Sequence, residues 1–384
     1  MSWIDLLRMS ASNLKRRKLR TFLTVLGVVI GTASIVVMVS LGLGLQKSVY
    51  DEMEQSGGLT TINVTGSESV GDGMMHSSNS DNSDEASKYI DDNCVKKFGE
   101  LEHVKAAAPI YETSAICLKG KYEGYISLYA STPEGLRMRE IKLADGETLP
   151  KSGTGKLELV YGNNVLTNFS ERGNNSSGYW ETGELPDIDL MKDSMFMILD
   201  QDAYYNSQSS GGLQADAGTD GNGTSNVPQS AKKHIVTASG VVAGGVDDYN
   251  MNSYYVFCDL DTLKQIMKKE FKGRVIPGQP STKSGKAYKE FYYSSAQVKV
   301  DDMSNVNDVA KQIREMGYNV ETNVEYMDSM KKQMAVIQAV LGGIGAISLI
   351  VAAIGIANTM MMSIYERTKE IGVIKVLGCS LKNI

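Results

Sequence analysis

Gly153-Thr154-Gly155-Lys156 is the stretch of this chain that comes nearest to nucleotide chemistry. A phosphate loop surrounds the phosphates with backbone N–H groups, reaches them with a lysine, and holds magnesium with the Ser/Thr hydroxyl that comes next. Here Pro150 stands where the first glycine belongs, and Leu157 where the hydroxyl belongs. Gly285-Lys286 departs in the same way, with Pro280 and Ala287. Cys94, Cys117, Cys258 and Cys379 show no C-x-x-C spacing and point to no zinc site. His76, His103 and His234 are far apart in sequence. Neither G-x-S-x-G nor H-E-x-x-H occurs. Acidic pairs such as Asp247-Asp248 and Asp301-Asp302 read as solvated turns. The sequence therefore points to no catalytic residue, no metal ligand and no cofactor site, and away from an enzyme.

The informative chemistry is charge set against apolarity. No charged residue occurs from Thr21 to Gln46, nor from Gln333 to Tyr365. Each run exceeds the ~20 apolar residues that cross a bilayer, so the sequence predicts two transmembrane helices, 21–46 and 333–365. Directly after the second come Glu366, Arg367, Thr368, Lys369, Glu370, Ile371 and Gly372. Glu366, Lys369 and Glu370 lie three or four apart, as do Ile371, Ile374 and Lys375. Such spacing gives a helix one charged and one apolar face, suited to docking in a partner's groove; an ordinary charged membrane exit has the same composition.

Charge also orders the chain. The first 20 residues carry six bases (Arg8, Lys15, Arg16, Arg17, Lys18, Arg20) against Asp5, and the stretch after Tyr365 is net positive. Of the whole chain's net −6, this leaves −13 between the two runs. Basic flanks stay cytoplasmic, so both ends are expected inside and residues 47–332 outside; Lys331-Lys332 opposes this weakly. A signal peptide would have a shorter apolar run and an A-x-A-like site, which Ser40-Leu41-Gly42-Leu43-Gly44 is not. Residues 1–20 contain an amphipathic basic helix, with Ile4, Leu7, Ala11 and Leu14 at helical spacing, or a plain basic flank that only fixes topology. The acidic outer segment suits solubility and would also attract cationic peptides.

Small residues four apart occur in both spans: Gly27 and Gly31 in the first, Gly342 with Ala346 and Ala353 with Ala357 in the second. They let helix backbones approach closely in lipid, although apolar spans rich in Gly and Ala also produce them by chance. The outer segment alternates strand and helix patterns. Residues 59–64 read as a strand, 66–87 as a loop, 89–98 as a helix and 104–111 as a strand. Residues 115–129 read as a hairpin turning near Lys119-Gly120-Lys121. Residues 205–230 are nearly free of large apolar groups and read as flexible. A strand at 296–300, a helix at 306–316 stopped by Gly317, and a strand at 319–322 complete the segment. The expected fold is α+β, split by a long insertion.

The chain resembles the MacB-like ABC transporter permeases of the broader FtsX-like group. Asn13 to Gly31 is similar to that family's entry into its first span. Val104–Pro109, Ser131-Thr132-Pro133-Glu134-Gly135 and Leu143–Thr148 are similar to parts of its periplasmic core domain. Ile347 to Val351, continuing through Glu366-Arg367-Thr368-Lys369-Glu370-Ile371-Gly372, carries the most specific likeness. The resemblance implies a large extracytoplasmic domain at 47–332. Its porter-like α/β parts would fall at about 58–115 and 290–330, with an inserted, mostly β part at about 116–289. Residues 366–384 would form a cytoplasmic coupling helix along the membrane surface.

It further implies four spans, of which this chain holds two, so a piece of a longer permease is expected. The implied partners are a separate ABC ATPase subunit that binds ATP and magnesium, a second permease copy, a membrane-fusion adaptor protein and membrane lipid, with no nucleic acid. The expected function is extrusion of a peptide, drug or lipid-linked substrate, driven by ATPase movement relayed to the outer domain of a bacterial cytoplasmic-membrane protein. Two other readings stay open: an FtsX-like mechanical signalling module that controls a cell-wall hydrolase, and a sensor of an antimicrobial ligand.

Overall fold

The computed structural model describes residues 18–54, 58–66, 70, 89–144, 146–174, 178–209, 231–282 and 284–378. The expected N-terminal amphipathic helix lies outside the described residues, as do most of the 66–87 loop and residues 210–230. The chain divides into two compact units, residues 1–49 with 327–384, and residues 50–326.

The first element, α1 (Lys18–Glu54), is long and continuous. Its hydroxyl residues do not interrupt it. Thr32 donates to the Val28 carbonyl at 2.9 Å and Ser34 to the Ile30 carbonyl at 2.8 Å. Back-bonding of this kind satisfies a hydroxyl inside the helix's own turn, as an apolar solvent requires.

The second unit runs β1 (Thr61–Thr65), α2 (Asp92–Gly99), β2 (Val104–Lys119), β3 (Tyr122–Ser131), α3 (Pro133–Met138), β4 (Glu158–Tyr161), β5 (Phe169–Glu171), α4 (Tyr179–Thr182), β6 (Met195–Ile198), α5 (Gln201–Ser209), β7 (His234–Val241), β8 (Tyr255–Asp259), α6 (Leu260–Glu270), β9 (Ser295–Val300), α7 (Val306–Glu315) and β10 (Asn319–Thr322). The last helix, α8 (Asn323–Val376), begins at the next residue.

Four strands lie in the order β10-β1-β9-β2, each antiparallel to its neighbour. With α2 after β1 and α7 after β9, this is a split βαβ arrangement. Ile62 and Val64 of β1 are buried because period-2 alternation sends them to one face, where Phe98 of α2 and Ile313 of α7 join the same core. Asp91 caps α2 by accepting from the Cys94 N–H at 2.8 Å. Gly317, at φ +86°, takes the left-handed turn that ends α7.

The remaining strands close on themselves. Six strands pair in the order β2-β6-β7-β4-β8-β3, and β3 pairs back with β2. On β3, β4 and β8 alternate residues enter the common core: Leu128, Leu159, Tyr161, Val256 and Cys258. Their neighbours Tyr129, Val160 and Phe257 face outward into a second cluster with Leu136. A third cluster lies where Tyr204 of α5 covers Ile116, Leu118 and Ile198. Closure leaves no strand edge within the ring.

Three features differ from the sequence expectation. The strand at 104–111 and the first arm of the hairpin are one strand of 16 residues. Its first part pairs with β9 and its second with β3, so the boundary of the insertion falls inside an unbroken element. The turn is where it was expected: Lys119 faces Tyr122, and Gly120 at φ +54° is the first of two turn residues. Second, residues 205–209 are helical, because Asp200 accepts from the Ala203 N–H at 3.0 Å and Tyr204 is buried against the ring. Third, the insertion contains α6, capped by Asp259 at Thr262 N–H, 2.9 Å, as well as strands.

Gly162 fixes how β4 leaves the ring. A Cβ there would lie 2.2 Å from the Ser253 carbonyl oxygen and 2.5 Å from that of Asn252. Backbone cannot move aside as a flexible side chain can. Gly162→Ala is expected to destabilise the protein by about 2–4 kcal/mol, read as a lowered denaturant midpoint. Gly155→Ala, in open space at φ +70°, should cost only about 1 kcal/mol. Equal costs would show that the Gly162 contact relaxes freely.

Candidate coupling site in the apolar helix pair

The two long helices meet through small residues. A Cβ on Gly27 would sit 3.0 Å from Cβ of Ala352, and one on Gly31 2.8 Å from Cγ of Leu349. A Cβ on Gly345 would lie 3.5 Å from Cβ of Ser34, and one on Gly342 3.3 Å from Sδ of Met38. Partners descend along α8 as they ascend along α1, so the helices are antiparallel. In lipid no hydrophobic force drives helices together, and close backbone approach with dispersion contact does the work. A side chain larger than hydrogen at Gly31 meets Leu349 directly.

Gly27, Gly31 and Gly342, singled out by sequence, are therefore on the contact. Ala346, Ala353 and Ala357 are exposed and turn away from it. The α8 side of the seam is Gly342, Gly345, Leu349 and Ala352, spaced three, four and three apart. Fixed spacing of four drifts around a helix, whereas alternating three and four stays on one face. That alternation, continued from Gly342, was the signal available for Gly345, Leu349 and Ala352.

The charged C-terminal segment is reached without a break. Glu366, Arg367, Thr368, Lys369, Glu370, Ile371 and Gly372 all lie within α8, which runs on to Val376. No separate surface helix begins at 366, contrary to the sequence expectation. The physical reason is local: no proline interrupts the run, and Thr368 donates back to the Tyr365 carbonyl at 2.8 Å. Lys369, Lys375, Val373, Val376 and Leu377 are exposed where α8 ends. The helix stops at Gly378, φ +87°, whose N–H donates to the Lys375 carbonyl at 3.1 Å. Apolar and cationic groups share this end, a surface suited to a protein groove.

Residues that suggested other chemistry occupy ordinary structural positions. Gly153–Lys156 is an exposed loop entering strand β4, and a phosphate loop opens a helix. Asp248 accepts from the Gly245 N–H at 2.8 Å, and Asp302 from the Ser304 N–H at 2.8 Å, so both cap turns. Burial pushes the Cys117 thiol up to about 12, and burial likewise raises Cys258, leaving both protonated and inert. His76 and Cys379 lie outside the described residues. Among the described residues no group of three or more His, Cys, Asp or Glu is placed to hold a metal.

The stretches that carry the family likeness have structural work. Thr132 caps α3 by accepting from the Gly135 N–H at 3.2 Å, and Pro133 occupies its first turn. Ser131 donates to the Pro109 carbonyl at 2.8 Å, and a Cβ on Gly135 would fall 2.1 Å from Oγ of Ser131. Just beyond, buried Arg139 donates to Oδ1 of Asn252 at 2.7 Å and lies 4.4 Å from the Tyr129 ring centre. In the 143–148 stretch, Glu147 accepts from the Val241 N–H and the Thr148 N–H donates to the Ser239 carbonyl at 3.1 Å, laying this segment along β7.

Residues 21–178 match the MacB-like periplasmic core domain, and residues 342–384 match the FtsX-like permease C-terminal. Both matches are to parts of MacB-like, FtsX-like permeases, which this chain resembles at its two ends. It is 22% identical over 382 residues to the ABC transporter permease YtrF of Bacillus subtilis, covering 99% of this chain and 77% of that one. It is 23% identical over 389 residues to the macrolide export ATP-binding/permease protein MacB of Wolinella succinogenes, covering 99% of this chain and 49% of that one. The chain thus spans about half the length of that MacB relative. The periplasmic region of MacB from Actinobacillus actinomycetemcomitans aligns with 74% of this chain and 98% of its own, at 10% identity and a TM-score of 0.38. The matching family is one of membrane permeases, and among the described residues of this chain two helices are long and apolar enough to span, with mean hydropathies of 2.3 and 2.4.

The seam is open to a direct test. Ser34→Cys with Gly345→Cys should oxidise to a disulfide in membranes, since Cβ atoms 3.5 Å apart are within disulfide range; Ser34→Cys with Ala346→Cys or Ala353→Cys should not. Gel mobility without reductant reads the difference, and equal cross-linking at 346 would refute the seam. In the 50–326 unit, His103 lies 3.1 Å from Asp301, whose hydrogen bond raises the imidazole pKa above its ordinary 6.5. A raised folded-state value gives stability that is complete below about pH 6.5 and is lost as pH rises through the raised pKa. NMR titration should place the His103 midpoint above 6.5, and Asp301→Asn should lower it.

Proposed function

We propose that this chain is a permease subunit of an ABC exporter. In this reading α8 takes up movement from an ABC ATPase at its charged end. The outer domain uses that movement to extrude a peptide, a drug or a lipid-linked molecule. The observation that carries the reading is the unbroken helix from Asn323 to Val376, apolar along its span and charged from Glu366 onward. A single helix with a hydrophobic body and a polar, partly apolar tip lets a protein bound at the tip act on the whole element.

Several features support the orientation and partners. The basic residues before α1 and after Tyr365 favour both ends inside, with the acidic 47–332 segment outside a bacterial cytoplasmic membrane. The MacB relative carries ATP-binding and permease in one name, which favours an ABC ATPase as the partner. ATP and magnesium would be bound by that ATPase. A second permease copy and a membrane-fusion adaptor complete the proposed assembly. The FtsX-like match over residues 342–384 favours one second reading. In it the same movement controls an extracytoplasmic partner such as a cell-wall hydrolase, with nothing transported.

Glu366→Lys or Glu370→Lys, made in the complete complex with its ATPase, should reduce coupling of ATP hydrolysis to export at least about tenfold while leaving assembly in the membrane intact. Transport per ATP hydrolysed is the measurement. Unchanged coupling would remove the proposed docking role. ATP-dependent hydrolase activity without substrate flux would replace export with the signalling reading.

A further inference from the structure

The outer domain has two parts: the split βαβ sheet and the ring. Beyond the shared strand β2, a compact polar cluster joins them. Lys264 lies on α6, the helix that leaves ring strand β8. Its ammonium donates to the Tyr293 hydroxyl at 3.0 Å, and that hydroxyl donates to Oδ1 of Asp92 at 2.5 Å. Tyr293 precedes β9, and Asp92 is in the first turn of α2, so both belong to the split sheet. Lys264 Nζ is 3.7 Å from Oδ2 of Asp92. It also stands 5.0 Å from the Phe291 ring centre and 5.2 Å from that of Tyr293.

The position is a demanding one for a lysine. Its side chain is only 16% exposed, and Tyr293 is buried. Holding an ammonium here orders a long side chain, a cost that a surface lysine avoids. The split sheet does not need it for capping, since Asp91 already caps α2 and the Tyr293 hydroxyl already reaches Asp92. What Lys264 adds is a charge-assisted tie from a ring helix to a sheet helix, with two aromatic faces around the cation.

We propose that Lys264, acting through Tyr293 and Asp92, locks the ring to the split sheet so that the outer domain moves as one body. Besides β2, the two parts share a common hydrophobic core in which Leu263 and Met267 of α6 lie with Phe98 and Tyr293; apolar contact is non-directional, whereas a charge-assisted tie fixes orientation. A lock on the α6 side attaches the two parts away from β2, and attachment there removes the freedom to pivot about the strand. The purpose of such rigidity rests on the movement-relay reading above. The lock itself does not, and it is testable within one chain.

Nitroxide labels placed at exposed Thr237 on β7 and exposed Lys311 on α7, through a ketone-bearing amino acid, report the ring-to-sheet distance in the full chain by pulsed electron resonance. The wild-type distribution should be single and narrow, and the same with and without ATP and the ATPase. Lys264→Met, which keeps the stem and removes the cation, should widen it at least about twofold, and Lys264→Arg should restore it. If Lys264→Met does not fold, Tyr293→Phe removes only the hydroxyl and should widen it as well. A wild-type distribution that splits or shifts with nucleotide would overturn the proposal, as would folded variants as narrow as the wild type. A complex in which ATP moves nothing would defeat the movement-relay reading while leaving the lock standing.

Discussion

Strand β2 is the constraint on which the 50–326 unit depends. It is one strand with two sets of neighbours: β9 along its first part, β3 and β6 along its second. Neither the split sheet nor the ring can form without it. The hydrogen bonds of a single strand therefore make the two parts mutually dependent, and the return of the chain through Tyr293 to β9 closes the arrangement. Removing pairing on one half would expose backbone groups that the other half cannot satisfy.

Much of this was legible because local patterns coincided with tertiary ones. The 319–322 strand, the 306–316 helix with its glycine stop and the turn at Gly120 all arise from residues whose conformational preferences admit few alternatives. The ring was not legible. Its strands β4, β6 and β8 are four or five residues long and largely buried on both faces, so they lack the alternation that identifies a strand. Pairing partners far apart in sequence, such as Leu159 with Cys258, leave no local trace. The continuity of β2 was hidden for a related reason: Pro109 and the Thr113-Ser114 pair look like punctuation when only near neighbours are counted.

The helix pair shows the same limit at a smaller scale. Gly27 and Gly31 stand out because glycine is conspicuous in an apolar run. Gly345 and Ala352 do the equivalent work on α8, yet they sit among many small residues, and only the facing helix distinguishes them from Ala346 and Ala353. Composition marks a helix able to pack closely, and the partner's surface decides which face is used. The charged end at Glu366–Gly372 was visible as a motif. Its continuity with the span was set by the residues around it, none of which stops a helix before Gly378.

That continuity has a mechanical meaning. At 1.5 Å per residue, the 54 residues of α8 form a rod of about 80 Å, more than twice the ~30 Å of hydrocarbon in a bilayer. A helix that moves as one piece has few ways to do so. It can slide along its axis, turn about it, or tilt as a lever. In the first two cases the displacement at Met327 would equal that at Val376. In the third, a tilt of a few degrees about a fulcrum among the close Gly27–Ala352 contacts becomes a sideways stroke that grows with distance from the fulcrum. In the proposed relay the glycine seam would be the bearing on which that stroke turns.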